Sequence, residues 1–109
     1  MKGRLYIYAD ANFKIGTGHL IRCKEVFLEL RNCNFEVLFL SKHSSEETFD
    51  KLGLPLFKKV GSKEEIKKCI SKNDFLLFDT DNVEWLNLEC QSFLKNNKIR
   101  FGYFTIFNS

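Results

Sequence analysis

Two hydrophobic patterns alternate along the chain. Short, nearly continuous apolar or β-branched runs stand at LYIYA (5–9), EVLFLS (36–41), PLFKKV (55–60), FLLFDT (75–80) and IRFGYFTI (99–106), each of strand length. Longer stretches with apolar residues three and four apart lie between them. The first, residues 18–31, places Leu20, Cys23, Val26, Phe27 and Leu30 on one stripe and Lys24, Glu25, Glu29 and Arg31 elsewhere, as in an amphipathic helix. Ser44 with Glu47, and Ser62 with Glu65, have the S-x-x-E spacing in which a hydroxyl caps a helix and the glutamate reaches back, so they predict two helix starts. Asp81 or Asn82 is positioned to cap a fourth helix over 83–96, whose Val83, Leu86, Cys90, Phe93 and Leu94 form another stripe.

Runs such as VLFL and FLLF lack polar alternation, which is the pattern of strands covered on both faces of a parallel sheet. Alternating strands and helices therefore predict the α/β class, a Rossmann-like doubly wound parallel sheet. With 109 residues the chain fits one such domain and falls below the size at which a second core is expected. Ligands in these sheets bind beyond the carboxyl ends of the strands, near the point where strand order reverses. Attention falls on the segment after the first strand, YADANFKIGTGHLIRC (8–23), which holds Asp10, Asn12, Gly16, Thr17, Gly18 and His19.

Composition narrows the classes of partner. A hydrophobic share of 44% and a charged share of 28% are those of a globular chain, and the net charge of +3 comes from lysines interleaved with acids, as in KEEIKK and SSEETFDK. No basic stripe forms, so nucleic acid is not indicated. The opening MKGRLYIYAD has too short an apolar run for a secretory signal and no later run approaches a membrane span, which makes the cytoplasm the expected location. Cys23, Cys33, Cys69 and Cys90 form no CxxC pair and three fall on predicted helices, so reduced core thiols are expected rather than disulfides or a zinc site.

A glycine-marked turn opening a helix exposes unpaired amides and the positive end of the helix dipole, which suits a phosphate. Gly16, Thr17 and Gly18 supply such a turn, although glycines also serve simply to let the chain turn tightly. Three familiar phosphate motifs do not fit. Ile21 stands where a dinucleotide fingerprint needs its third glycine, and the second strand ends in Ser41, Lys42 and His43 rather than an acid. His19 follows Gly18 where a P-loop needs lysine. A phospho-receiver needs an acidic pair after strand one, and only Asp10 is there. In the first turn of a helix the dipole disfavours imidazolium, so His19 has the setting of a general base, against the simpler reading of a structural histidine. Asp10 is suited to orient that ring, to bind a sugar hydroxyl, or to cap the loop. His43 reads as a surface residue.

The segment resembles the N-terminal signature of the UDP-sugar hydrolases of the pseudaminic-acid pathway and of the related spore-coat polysaccharide proteins, approximately R-A-D-A-S-x-x-I-G-x-G-H-x-x-R-C. Ala9, Asp10, Ala11, Ile15, Gly16, Gly18, His19, Arg22 and Cys23 match in order and spacing; Tyr8 stands for the arginine and Asn12 for the serine. FEVLFLSK is similar to the family's second strand, and FLLFDT to the strand that ends in an aspartate, here Asp79. The resemblance implies the N-terminal half of a GT-B-type enzyme, similar to the glycosyltransferase that makes lipid II, in which two Rossmann-like domains face each other across a cleft. It implies that His19 activates water against the anomeric carbon and releases UDP without metal or cofactor. Asp10, Asn12, Gly16, Thr17, Gly18, Arg22 and Asp79 then lie against the nucleotide-sugar. Asp79-Thr80-Asp81 lacks the family's tyrosine-bearing continuation.

The resemblance covers about half the family's length, and the family's C-terminal nucleotide-binding domain is expected to be absent from these residues. Two expectations follow. Either the chain is a UDP-sugar hydrolase domain completed by another wall, or it is a non-catalytic remnant or binding module that associates with a partner. Apolar surface around the fourth helix and FGYFTIF, including Phe104 and Phe107, is expected to form a homodimer or to meet a separate chain carrying the C-terminal domain.

Overall fold

Each apolar run pairs with its neighbours in one parallel sheet, because continuous apolar strands must be covered on both faces and connecting helices do the covering. The computed structural model describes residues 3–10, 18–33, 36–55, 57–80 and 83–103, and the side chains of residues 18–23 and 83 lie outside that description. The elements run β1 (Leu5–Ala9), α1 (Gly18–Asn32), β2 (Val37–Ser41), α2 (Glu46–Lys51), β3 (Phe57–Lys59), α3 (Lys63–Cys69), β4 (Phe75–Asp79), α4 (Val83–Leu86), α5 (Leu88–Asn96) and β5 (Arg100–Tyr103). Strand order is β3-β2-β1-β4-β5, with every pairing parallel. Leu5 of β1 lies opposite both Val37 and Phe75, so β1 is the central strand.

Strand alternation divides the core into two layers. On one face Tyr6, Tyr8, Leu40, Leu76 and Phe78 pack with Ile66 of α3, Trp85 of α4, and Cys90 and Leu94 of α5. On the other, Ile7, Ala9, Val37 and Phe39 pack with Phe49 of α2, and Val26, Phe27 and Leu30 of α1 close over them. The chain thus winds outward from β1 to β3 with α1 and α2 on one face. It then crosses to the other side of β1 and continues through β4 to β5 with α3 to α5 on the opposite face. The result is an α/β fold consistent with a Rossmann-like sheet, and its order reverses between β1 and β4.

Aromatic rings hold the helices to the sheet. Trp85 stacks within 4.7 Å of Tyr8 and 6.0 Å of Phe78, and Phe49 sits 5.6 Å from Phe39 and 4.5 Å from Phe57. At the amino end, buried Asp74 accepts the Arg4 N–H at 2.8 Å and the Ser71 N–H at 2.7 Å, fixing the entry to β4 beside the entry to β1.

Several expected details differ. The helix expected over 83–96 is broken at Asn87, whose side chain accepts the Cys90 N–H at 2.7 Å and so caps a new helix, α5. Asparagine competes for backbone groups more effectively at a cap than inside a helix, which accounts for the break. Trp85, absent from the expected stripe, is the buried residue of α4. The expected caps Asp81 and Asn82 lie outside the described residues. Ser45, not Ser44, caps α2 by accepting the Thr48 N–H at 3.2 Å. Ser44 is drawn back toward the sheet, its N–H on Ser41 Oγ and its hydroxyl on the Ala9 carbonyl. Ser62 caps α3 as expected, but Glu65 takes the N–H of Gly61, one residue ahead of the cap. Cys33, Cys69 and Cys90 are free thiols, yet Cys33 is exposed, so it is no core residue. Cys90 is buried, and burial pushes its thiol pKa up. Phe104 and Phe107, on which the expected interface rested, lie outside the described residues. Among the described residues no helix is long and apolar enough to cross a membrane.

Because Asn87 replaces a continuing helical turn with a cap, Asn87→Ala should destabilise the domain by about 1 kcal/mol in chemical denaturation, while Asn87→Ser retains most of the stability.

Candidate functional site

The carboxyl edge of β1 is organised by one carboxylate. Asp10, two residues beyond Tyr8 and only 5% exposed, accepts the Tyr8 hydroxyl on Oδ2 at 2.7 Å. Its Oδ1 accepts the Ser41 hydroxyl at 2.7 Å and the backbone N–H groups of Lys42 at 2.9 Å and His43 at 2.8 Å. An ionised carboxylate offers about four lone-pair sites. Among the described residues four donors, from β1, the end of β2 and the turn after it, bond Asp10, which acts as a clamp between two strand ends. Among the described residues its partners all belong to the scaffold.

Tyr8, the residue standing at the arginine position, lies wholly in the core against Trp85. Burial first, and then its bond to and the charge of Asp10, push the phenol pKa far above its ordinary value; the nearby Trp85 indole opposes this slightly. The phenol is therefore a fixed neutral donor. Trp85 Nε1 is itself buried and has no hydrogen-bond partner among the described residues. Tyr103 donates to the Trp85 carbonyl at 3.0 Å, and burial pushes its phenol pKa up to about 12.

Asp79 ends β4 directly opposite Ala9 and is 1% exposed. Asp79 shares the strand face of Leu77 and the register of Ala9, both on the layer covered by α1, whereas Asp10 continues the Tyr6–Tyr8 face. The two aspartates flank the switch point from opposite faces of the sheet. Gly18 and His19 are the first two residues of α1, and Arg22 lies in its second turn. No acidic residue stands in that first turn, which leaves the dipole there uncompensated by the helix's own side chains. The side chains of His19 and Arg22, and all of Asn12, Gly16 and Thr17, lie outside the described residues.

Lys42 and Glu84 belong to this edge but not to the sequence-derived set. The Lys42 ammonium meets the Glu84 carboxylate at 2.5 Å, joining the turn after β2 to α4 after β4. Since β1 lies between β2 and β4, the pair links segments that follow the two strands flanking β1. Two signals could have found this group: Tyr8 and Asp10 share a strand face by alternation, and Ser41-Lys42 ends the strand next to β1. Comparison with protein-family models, with curated proteins and with solved structures found no match.

Asp10→Ala strands buried hydroxyl and amide donors and should cost about 3 kcal/mol or more, against about 1 kcal/mol for Tyr8→Phe, when both are measured by urea denaturation at neutral pH. The raised Tyr8 pKa sets a further sign. Its stabilising effect is complete below the unfolded phenol value of about 10 and is lost as pH rises above it. The stability gap between wild type and Tyr8→Phe should accordingly narrow as pH increases from 9.5 to 11.5, about the span in which unfolded tyrosine ionises.

Proposed function

We propose that the chain is a UDP-sugar hydrolase-like domain, the N-terminal half of a GT-B-type enzyme in nonulosonic-acid or surface-polysaccharide biosynthesis. The observation that carries this reading is that the segment from Asp10 to His19 leads from the carboxyl end of the central strand into the start of α1, beside the strand-order reversal. Parallel sheets take ligands at that place. The motif resemblance supplies the chemistry. His19 takes a proton from water as the water oxygen bonds to the anomeric carbon; the bond from that carbon to the diphosphate oxygen breaks, and UDP leaves with the electron pair. Helix-start amides at Gly18 and His19 suit the diphosphate charge, and Arg22 and Asp79 are proposed substrate contacts. Asp10, a proposed substrate contact, is also a positioning residue, since its bonds to Ser41, Lys42 and His43 fix the turn after β2. A second wall, from a C-terminal domain or a separate chain, grips the nucleotide, because remote binding energy is what positions such a substrate for attack.

A second reading, a binding module that holds a sugar nucleotide or a partner without turnover, is favoured by Tyr8. A neutral phenol replaces the signature's arginine and removes a cation from the edge.

Binding and turnover measured together separate the two readings. UDP at a hundred times its dissociation constant should stabilise the domain by about 2.7 kcal/mol. With the UDP-linked sugar, release of UDP that His19→Asn abolishes without weakening UDP binding supports the hydrolase. Binding without release by either protein supports the module. Absence of any UDP-induced thermal shift at millimolar concentration overturns the sugar-nucleotide module, and absence of UDP release from the UDP-linked sugar overturns the hydrolase.

A further inference from the structure

Lys42 is held more firmly than an ordinary surface lysine. Its backbone N–H is bonded to buried Asp10, and its side chain is 28% exposed. Glu84, its partner, adjoins Trp85, which is locked against Tyr8. Both ends of the ion pair are thus anchored to rigid parts of the same edge, and the pair links segments that follow the two strands flanking β1. Most exposed ion pairs contribute little to stability. Here the arrangement does something a stabilising pair need not do: it holds a cation at the carboxyl edge of the sheet, where parallel sheets bind ligands, and satisfies it with a carboxylate from the chain itself.

We infer that Lys42 is an anion-binding residue of this site and that Glu84 is its resident counter-ion, displaced when a diphosphate enters. The inference rests on the nucleotide-sugar reading for the identity of the anion. The chemistry is that of charge-assisted hydrogen bonds: an ammonium that donates to one carboxylate oxygen donates as well to a phosphoryl oxygen, which carries more charge. Displacement makes binding a competition, so the affinity for an anion is set by Lys42 and lowered by Glu84. Glu84 then swings into solvent, which its 38% exposure permits.

The test uses the full chain and three probes, UDP, inorganic pyrophosphate and uridine, followed by backbone amide chemical shifts and calorimetry. Glu84→Gln should bind UDP several-fold more tightly than wild type. Lys42→Gln should bind it about tenfold more weakly, the scale of one lost hydrogen bond to a charged group. Lys42→Arg should restore binding, and the double variant should behave as Lys42→Gln. Amide spectra of the free variants report that each remains folded. UDP binding equal in wild type, Lys42→Gln and Glu84→Gln overturns the inference and leaves the nucleotide reading standing. Lys42-dependent binding of pyrophosphate, with none of UDP, overturns the nucleotide reading and upholds the anion site. Uridine binding that tracks Lys42 overturns the anion role, and failure of all three probes overturns both.

Discussion

The described turn at the carboxyl edge of the sheet depends on the buried carboxylate of Asp10. It is nearly sealed from water and, among the described residues, accepts two hydroxyl and two backbone amide donors and no charged side chain. Burying a charge is tolerable only when hydrogen bonds replace its hydration. Those donors come from β1 itself and from the turn after β2, so satisfying the charge and fixing the turn are the same event. Ser41 is bound twice over, since its oxygen donates to Asp10 and accepts the Ser44 N–H. Ser44 then reaches back to the Ala9 carbonyl, so the loop closes on the strand from which Asp10 emerges.

The clamp extends into the core through Tyr8. Its ring is packed against Trp85 and Phe78, and Phe78 in turn stacks at 5.2 Å on Tyr103. A chain of rings therefore connects the carboxylate at the sheet's edge to the last strand, across β1, β4 and β5. Rotation of Tyr8 would both open a cavity among these rings and release a donor from Asp10. Packing and polar satisfaction select the same rotamer, the kind of agreement between levels that gives one well-defined native arrangement.

The fold was legible in the sequence because its signals are local and repeated. Continuous apolar runs announced buried parallel strands, and the three-and-four spacing of Val26, Phe27 and Leu30 announced the helix that covers one layer. The clamp was less legible because three of its four described donors are 31 to 33 residues from Asp10, and nothing in a local window links Ser41, Lys42 and His43 to that carboxylate. The break at Asn87 illustrates a different limit. The stripe through Leu86, Cys90 and Leu94 runs smoothly across it, so periodicity predicts one helix, while a single side-chain bond to the Cys90 amide ends one and begins another. Ser44 and Ser45 show the same effect: two adjacent hydroxyls suit the cap equally, and the tertiary demand on Ser44 decides which one takes it.

The two aspartates of the edge face opposite sides of the sheet. Asp10 lies on the layer with Tyr8 and Trp85, where its oxygens are occupied by scaffold donors; Asp79 lies on the layer that α1 covers, the side from which a helix start presents its amides. With an arginine at position 8 the clamp would include its own cation. With tyrosine, the described partners of Asp10 are hydroxyl and amide dipoles. An anionic ligand approaching this edge must then be met by positive potential from elsewhere, and among the described residues two sources stand there: the amides opening α1 and the ammonium of Lys42. A neutral Tyr8 adds no cation of its own, so in any recognition of phosphate at this edge Lys42 carries more weight, and the Lys42–Glu84 pair has a consequence that an isolated surface ion pair would lack.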